Sequence, residues 1–196
     1  MQFLPIILIA VLVGGVMYVV GIYNFLQRLK TQIAAAIQEI GNQLKRQASL
    51  IPNLEASVKG YLKHEKGIFQ MLTDARTSAA HASETGSGKD INDAINKIQS
   101  IIPQIAVMVE DNPEIKGDAT VTKFMAELSD TADKLMYARR TVIDLTQSYN
   151  EKLVVFPSNI LAGMFGFTKE VGLSMPASGS HLSVSDDEMK DVTVNL

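Results

Sequence analysis

The sequence has no cysteine and no tryptophan, and aromatic residues make up only 6% of its 196 positions. Without cysteine it can form no disulfide framework, no thiol nucleophile and no thiolate metal site. Few aromatic residues combined with many Ala, Ile, Leu and Met residues favour helix-on-helix packing over a β-sandwich. The formal net charge is only −3, which argues against nucleic acid as a partner, because nucleic-acid-binding proteins usually have a strongly basic face.

A long uncharged run stands at the start of the sequence. Residues 3–23 read FLPIILIAVLVGGVMYVVGIY, and the first charged residue is Arg28. An apolar helix of about 20 residues spans roughly 30 Å, the thickness of the hydrocarbon core of a bilayer. The alternative is a cleaved signal peptide, but the run is long, its start MQF is not basic, and GIYNF is a poor cleavage site. The sequence therefore predicts a transmembrane anchor over residues 1–24.

The charges that flank this run predict its orientation. No Lys or Arg precedes the run, whereas Arg28, Lys30, Lys45 and Arg46 follow it. Because positively charged flanks stay in the cytoplasm, this asymmetry places the N terminus outside and the rest of the chain in the cytoplasm. We therefore expect a single-pass membrane protein with a cytoplasmic helical domain.

Apolar residues continue at helical spacing beyond the anchor. From Leu26 to Ile51 they recur in steps of three and four residues, a pattern close to a heptad and typical of a coiled coil rather than a strand. Similar stripes occur over residues 54–82, 91–109 and 119–154. The sequence thus predicts an all-α fold in which the anchor continues into an antiparallel bundle of long helices over residues 25–155.

Helix-breaking residues predict where these helices end. Pro52 predicts a kink or short break, and Pro103 predicts a bend in a later helix. The sequence SETGSGKD at 83–90 predicts a loop, with Asp90 as the N-cap of the next helix. The sequence DNPEIKGD at 111–118 predicts a turn before the last long helix.

The last forty residues differ from the bundle. Residues 156–173 begin with FPSNILAGMFGF, whose crowded apolar side chains must pack on the bundle, on lipid or on another subunit. The candidate interaction residues of this segment are Phe156, Pro157, Ile160, Leu161, Met164, Phe165 and Phe167. Residues 174–196 predict an irregular polar tail. In this tail the alternating residues Val192, Val194 and Leu196 are candidates for adding a strand to a neighbour.

Local motifs predict no catalytic, metal-binding or cofactor-binding residues. GSGK at 86–89 lacks the first glycine and the following Ser or Thr of a phosphate loop. His64-Glu65 lacks the second histidine of a zinc-protease motif. The charged residues of the last helix are expected on its polar side: Asp130, Asp133, Asp144, Arg139 and Arg140. We therefore expect that the protein is not an enzyme.

Three lysines form a candidate basic face. Lys59, Lys63 and Lys66 recur at i, i+4 and i+7. Such a stripe suits anionic lipid or an acidic partner, although a simple solvated helix face is the favoured interpretation.

Short motifs along the chain resemble the LemA family of bacterial membrane proteins. In order they are Tyr23-Asn24, QLKR at 43–46, LIPNL at 50–54, VKGY at 58–61, HEK at 64–66, Ala75-Arg76, Asn112-Pro113, ARR at 138–140, Tyr149-Asn150 and FPSNILAGMFGF at 156–167. Each motif is weak alone, but their order and spacing are specific. The resemblance implies an anchored helical bundle in the bacterial inner membrane, no established enzymatic activity, no cofactor, and other envelope proteins as candidate partners.

Two hypotheses for function follow. In the first, the chain is a non-enzymatic, membrane-anchored scaffold or adaptor that self-associates into a homo-oligomer. In the second, it is a membrane-shaping or lipid-binding protein that contacts the bilayer through the lysine stripe and the 156–167 segment. An enzyme with an unrecognised site is the least favoured alternative.

Overall fold

The computed structural model of the protein describes residues 3–59 and 66–173, and within these residues it contains six helices and no strand. The helices are α1 (Leu4–Val58), α2 (Lys66–Thr85), α3 (Gly88–Asp111), α4 (Pro113–Lys116), α5 (Ala119–Lys152) and α6 (Ser158–Met164). The predicted all-α fold is confirmed.

Helix α1 connects the apolar run to the bundle without interruption. It has 55 residues, which corresponds to a length of about 80 Å at 1.5 Å per residue. Among the described residues, α1 is the one helix long and apolar enough to cross a membrane, and none of its most apolar stretch is buried inside the protein. Burial on α1 begins at Leu26. An apolar surface left uncovered by protein is what separates a candidate membrane span from the core helix of a globular domain.

Of the kink or short break predicted at Pro52, the break does not occur: α1 continues to Val58. A proline in a helix interior costs about 3 kcal/mol. The neighbouring side chains of Ile51, Leu54 and Val58 are at most 1% exposed, and burial of each such side chain stabilises the fold by about 1.5–3 kcal/mol. Packing on both sides of Pro52 therefore outweighs the cost of keeping the helix continuous.

The long helices form an antiparallel bundle, as predicted. Helix α5 runs against α1, since Leu26 lies in one cluster with Tyr149 while Arg46 lies 4.0 Å from Glu127. Helix α2 folds back along α1, and α3 folds back along α2. The Ser78 hydroxyl on α2, for example, donates to the Asp93 carboxylate on α3 over 3.4 Å.

Two hydrophobic clusters hold the bundle together. The larger cluster joins all four long helices and includes α4 through Ile115. The smaller one, which we call the basal core, lies where α1 leaves the apolar run and consists of Leu26, Leu29, Ile33, Tyr149 and Ala162. Because the end of α2 reaches α1 only near Gly41, the basal part of α1 is covered by α5 and the C-terminal segment instead.

The connections differ in detail from their predictions. Helices α2 and α3 are separated only by Gly86 and Ser87. Asp90 is not the N-cap of α3: Ser87 holds that position, and Asp90 lies in the first turn, where it accepts a hydrogen bond from the Thr85 hydroxyl at 2.8 Å. The predicted turn at 111–118 contains the short helix α4. Asp118 caps α5 by accepting bonds from the backbone N–H groups of the second and third residues that follow it.

Candidate functional site

The apolar segment predicted for interaction forms α6 and the turns that flank it, at the base of the bundle. Its side chains separate into two groups. Ala162 is buried, and Leu161 and Phe167 are half-buried against the bundle. The other predicted residues are exposed: Phe156, Pro157, Ile160, Met164 and Phe165. The segment therefore packs on the bundle with one side and leaves the other side open.

The segment around α6 buries one polar side chain and exposes several large apolar ones. Ser158 is only 4% exposed, and its hydroxyl donates to the backbone carbonyls of Lys152 and Val155, each over 2.8 Å. Phe156 and Met164, by contrast, are 75% and 74% exposed. Helices in contact with water normally place apolar side chains inward and polar ones outward. We call the exposed apolar surface the basal patch; it consists of Val154, Val155, Phe156, Ile160, Met164 and Phe165.

Aromatic side chains fix α6 to the end of the apolar run. The ring of Tyr23, the last residue of that run, lies 5.1 Å from the ring of Phe165 and 5.7 Å from that of Phe167. Phe167 in turn lies 6.5 Å from the ring of the buried Tyr149 on α5. Each such aromatic pair contributes roughly 0.5–1.5 kcal/mol beyond its buried area. Three helices thus meet at the point where α1 leaves the apolar run.

The chain after α6 runs back along the bundle as an extended strap, residues 168–173, which the sequence did not predict. The Asn150 amide donates to the backbone carbonyl of Glu170 at 2.8 Å and accepts from its N–H at 3.0 Å. The Tyr149 hydroxyl donates to the carbonyl of Thr168 at 3.1 Å. Leu173, the last described residue of the strap, is buried in the larger core. One sequence signal was present, since Tyr149-Asn150 places two polar groups next to the apolar stripe of α5.

Burial and charge around Tyr149 alter its acidity. Removal from water raises the pKa of the Tyr149 phenol above its usual value of 10, and the nearby Glu170 carboxylate raises it further. The phenol therefore stays protonated and remains a hydrogen-bond donor to the strap at neutral pH.

Basic residues outnumber acidic ones at the base of the bundle. Lys30 is paired with Glu170 at 3.6 Å, and the Lys152 ammonium lies 6.0 Å from the centre of the Phe25 ring. Arg28, two positions before Lys30, and Lys169, next to Glu170, are both exposed. The only carboxylates in the stretches 24–31 and 149–173 are those of Glu151 and Glu170. The base is thus locally positive although the whole chain is negative.

The placement of Arg139 differs from the prediction. It was expected on the polar side of α5, but it is only 5% exposed, and burial lowers its pKa from the usual value. Arg140 lies on the exposed side as predicted, where it faces Asp144 at 3.8 Å. Because helical positions are 100° apart, two adjacent arginines cannot share one face, and the sequence did not reveal which one turns inward.

Part of the predicted basic face and the predicted tail strand lie outside the described residues. Lys59 is exposed just beyond the end of α1. Lys63 and the side chain of Lys66 are not among the described residues, nor are Val192, Val194 and Leu196. These interaction residues therefore stay predictions.

Polar side chains gather at one further place, on the exposed faces of α2 and α3. The Lys97 ammonium donates to the Ser78 hydroxyl at 2.6 Å and pairs with Asp93 at 3.0 Å. Within residues 3–59 and 66–173, no group of three or more His, Cys, Asp or Glu side chains is placed to hold a metal ion.

Comparison with known proteins supports the family resemblance seen in the motifs. No curated protein shows significant similarity to the chain. A family model, that of the LemA family, matches residues 36–185, which covers most of the sequence and all of the bundle beyond the base of α1. From the ordered motifs, the helical bundle and this match, we conclude that the chain belongs to the LemA family.

Proposed function

We propose that this protein is a non-enzymatic scaffold or adaptor, anchored in the bacterial inner membrane by residues 3–23, with its helical bundle in the cytoplasm. The observation that carries the proposal is the continuity of α1, which includes both the candidate membrane span and one wall of the bundle. A helix without a hinge holds the bundle at a fixed height and direction relative to the bilayer.

The length of α1 supports this role. From Tyr23 to Val58 the helix extends about 50 Å at 1.5 Å per residue. Helix α5 packs along this length and stiffens it through the two hydrophobic clusters. The far end of the bundle, around α4, is thereby presented well away from the membrane, where partners among other envelope proteins have access to it.

Self-association is part of the proposal, and one groove on the bundle favours it. The groove lies between α1 and α5 and is lined by Ala36, Glu39, Tyr137 and Thr141 among others. Tyr137 is 76% exposed beside it. Tyrosine is enriched in protein–protein contacts because it combines a large apolar area with a hydrogen-bonding hydroxyl. We propose that a second copy of the chain covers this groove.

Site-specific photo-crosslinking in native membranes tests self-association. A photoreactive phenylalanine analogue at Tyr137 is expected to give an adduct of twice the chain mass of 21.4 kDa. The same analogue at Gln104, exposed on α3, is the matched control and should give none. Absence of the double-mass adduct at Tyr137, together with a strict monomer in mass photometry of mildly solubilised protein, would remove self-association from the proposal.

The orientation of the anchor needs its own experiment. Protease added to intact spheroplasts should leave the bundle undigested if it lies in the cytoplasm. Digestion of the bundle under those conditions would refute the cytoplasmic placement.

A second candidate function is lipid binding or membrane shaping, and the exposed basal patch favours it. Large apolar side chains on the outside of a small helix suit contact with lipid. Full-length protein reconstituted into vesicles should then change their curvature in electron micrographs, in proportion to the amount of protein. Vesicles that stay spherical at every protein density would exclude membrane shaping.

A further inference from the structure

We propose that the basal patch is inserted into the headgroup region of the same membrane leaflet from which α1 emerges, so that α6 is an interfacial helix. This inference rests on the proposed anchoring of residues 3–23. Its ligand is the lipid surface itself, and it deepens the second candidate function by naming the leaflet, the depth and the segment that makes the contact.

The position of α6 along α1 is the first support. Tyr23 is the last residue of the apolar run, and its ring contacts both Phe165 and Phe167. Tyrosine is enriched at the level where a membrane helix leaves the hydrocarbon. The centre of the Tyr23 ring lies 5.1 Å from that of Phe165 and 5.7 Å from that of Phe167. The end of α6 must therefore lie at that level whenever α1 spans the bilayer.

The apolar character of the open side of α6 is the second support. Ser158 is turned inward, where its hydroxyl donates to two backbone carbonyls, so Asn159 is the polar side chain that α6 exposes. Phe156 just before α6, and Ile160 and Met164 within it, are exposed. Large apolar side chains on the open side of a short surface helix and of the turn before it suit contact with a membrane interface.

The charge around the patch is the third support. Lys152 and Lys169 flank the patch in sequence, and Arg28 and Lys30 lie on α1 shortly after Tyr23, against the two carboxylates of Glu151 and Glu170. An excess of basic residues next to a membrane helix is attracted to anionic headgroups. A lipid surface therefore matches both the apolar and the charged part of this region.

Lipid is favoured over a second copy of the chain because the anchor already brings it to the patch. Contact with the bilayer is intramolecular in effect once α1 is inserted, and it needs no further loss of translational freedom. The patch also adjoins the end of the anchor, since the ring of Tyr23, which is 38% exposed, lies 5.1 Å from that of Phe165.

The lack of tryptophan in the sequence makes a direct test simple. Full-length protein carrying a single substitution, Phe156→Trp, is reconstituted into vesicles of phosphatidylethanolamine and phosphatidylglycerol that contain lipid brominated on the acyl chain near the headgroup. Two matched variants serve as references. Met17→Trp, 70% exposed within the anchor, reports insertion, and Tyr137→Trp, 76% exposed on α5, reports a side chain far from lipid, whether water or a second copy covers it.

The expected result is strong quenching of Phe156→Trp by the brominated lipid, several-fold above that of Tyr137→Trp. Tyr137 lines a groove with Ala36, 13 positions beyond Tyr23 on α1, which places it about 20 Å from the membrane surface. Quenching of Phe156→Trp no greater than that of Tyr137→Trp overturns the inference. It is also overturned if the tryptophan of Phe156→Trp is shielded from water only at high protein density, because a second copy of the chain would then cover the patch.

The reference variants separate the two possible failures. If Met17→Trp is quenched and Phe156→Trp is not, the anchoring stands and only the interfacial position of α6 is wrong. If Met17→Trp is not quenched either, the proposed anchoring fails and the inference fails with it. Comparison with vesicles of phosphatidylcholine alone then measures the part played by charge: the basic border predicts weaker quenching there, and equal quenching contradicts that part.

Discussion

The attachment of the strap depends on Gly172, and replacement of this residue by alanine gives a sharp test. Gly172 has a φ angle of +60°, and a Cβ atom at this position would lie 2.7 Å from the Cγ2 atom and 2.9 Å from the Oγ1 atom of Thr146. Both distances are shorter than the contacts that Cβ atoms make in folded proteins. Alanine therefore meets an unfavourable backbone conformation and a steric clash at the same site.

The cost of Gly172→Ala can be worked out from these two effects. A left-handed conformation costs an L-residue about 1–2 kcal/mol. Overpacking at a tight contact typically costs a further 1–3 kcal/mol. Because Thr146 is itself only 6% exposed on α5, it has little room to move away. We expect Gly172→Ala to weaken strap attachment by about 2–5 kcal/mol, the sum of these two ranges.

Two other glycines provide matched controls on the same segment. Gly166 has a φ angle of +71°, and a Cβ atom there would meet nothing within 4 Å, so Gly166→Ala isolates the backbone cost of about 1–2 kcal/mol. Gly163 lies within α6 with open space around it and no positive φ. Gly163→Ala is expected to be neutral or stabilising by about 0.5–1 kcal/mol, since alanine favours helix.

Hydrogen exchange of the strap amides, read together with global unfolding by circular dichroism, is the appropriate assay. Local detachment should accelerate exchange at residues 168–173 and leave the helical signal intact. The expected order of destabilisation is Gly172→Ala, then Gly166→Ala, then Gly163→Ala. If Gly172→Ala exchanges no faster than Gly163→Ala, the contact between Gly172 and Thr146 does not hold the strap and the reasoning is wrong.

Three further predictions concern the same region and α1. Asn150→Ala removes two hydrogen bonds to the Glu170 backbone, worth about 0.5–1.5 kcal/mol each. Hydrogen exchange of the strap amides should therefore accelerate in Asn150→Ala and stay unchanged in the exposed control Gln147→Ala. Equal exchange rates in the two variants would contradict this. Tyr149 has a pKa raised above 10 by burial and by Glu170, so its contribution to stability is complete below pH 10 and is lost as the pH rises further. Above pH 10 the midpoint temperature of unfolding should therefore fall more steeply with pH in the wild type than in Tyr149→Phe. Parallel plots of midpoint against pH would exclude a raised pKa of Tyr149 as a source of stability. Pro52→Ala restores a backbone donor inside α1 and should raise the free energy of unfolding by up to about 3 kcal/mol; a loss of stability in denaturant titration would show that the helix is shaped around the proline.

Sequence reasoning succeeded where a periodic signal was long. The stripe from Leu26 to Ile51 predicted the buried face of α1, and most of its members are indeed enclosed. The apolar run at 3–23 predicted the one candidate membrane span among the described residues. The last helix, expected over 119–154, is observed as Ala119–Lys152. Repeated spacing averages over many residues, so a single exception does not change the outcome.

Predictions from single residues were less reliable, because a single residue's effect is decided by what packs around it. Pro52 predicted a kink or short break, and the burial of Ile51 and Leu54 keeps the helix unbroken. Asp90 predicted a cap that Ser87 occupies. Arg139 was expected in water and is buried. For Pro52, a local cost of about 3 kcal/mol competes with burial of similar or greater size.

By itself, then, the sequence determined that the chain is helical, that an uncharged run precedes an amphipathic bundle, and that the 156–167 segment is too apolar to stay in water alone. Only the tertiary structure decided which side of that segment is covered. Ser158 turns inward because two backbone carbonyls accept from its hydroxyl, and the ring of Tyr23 holds Phe165 and Phe167 at the end of the apolar run. Contacts between residues more than 140 positions apart leave no periodic trace in the sequence, so the basal patch and its position became visible only in the folded chain.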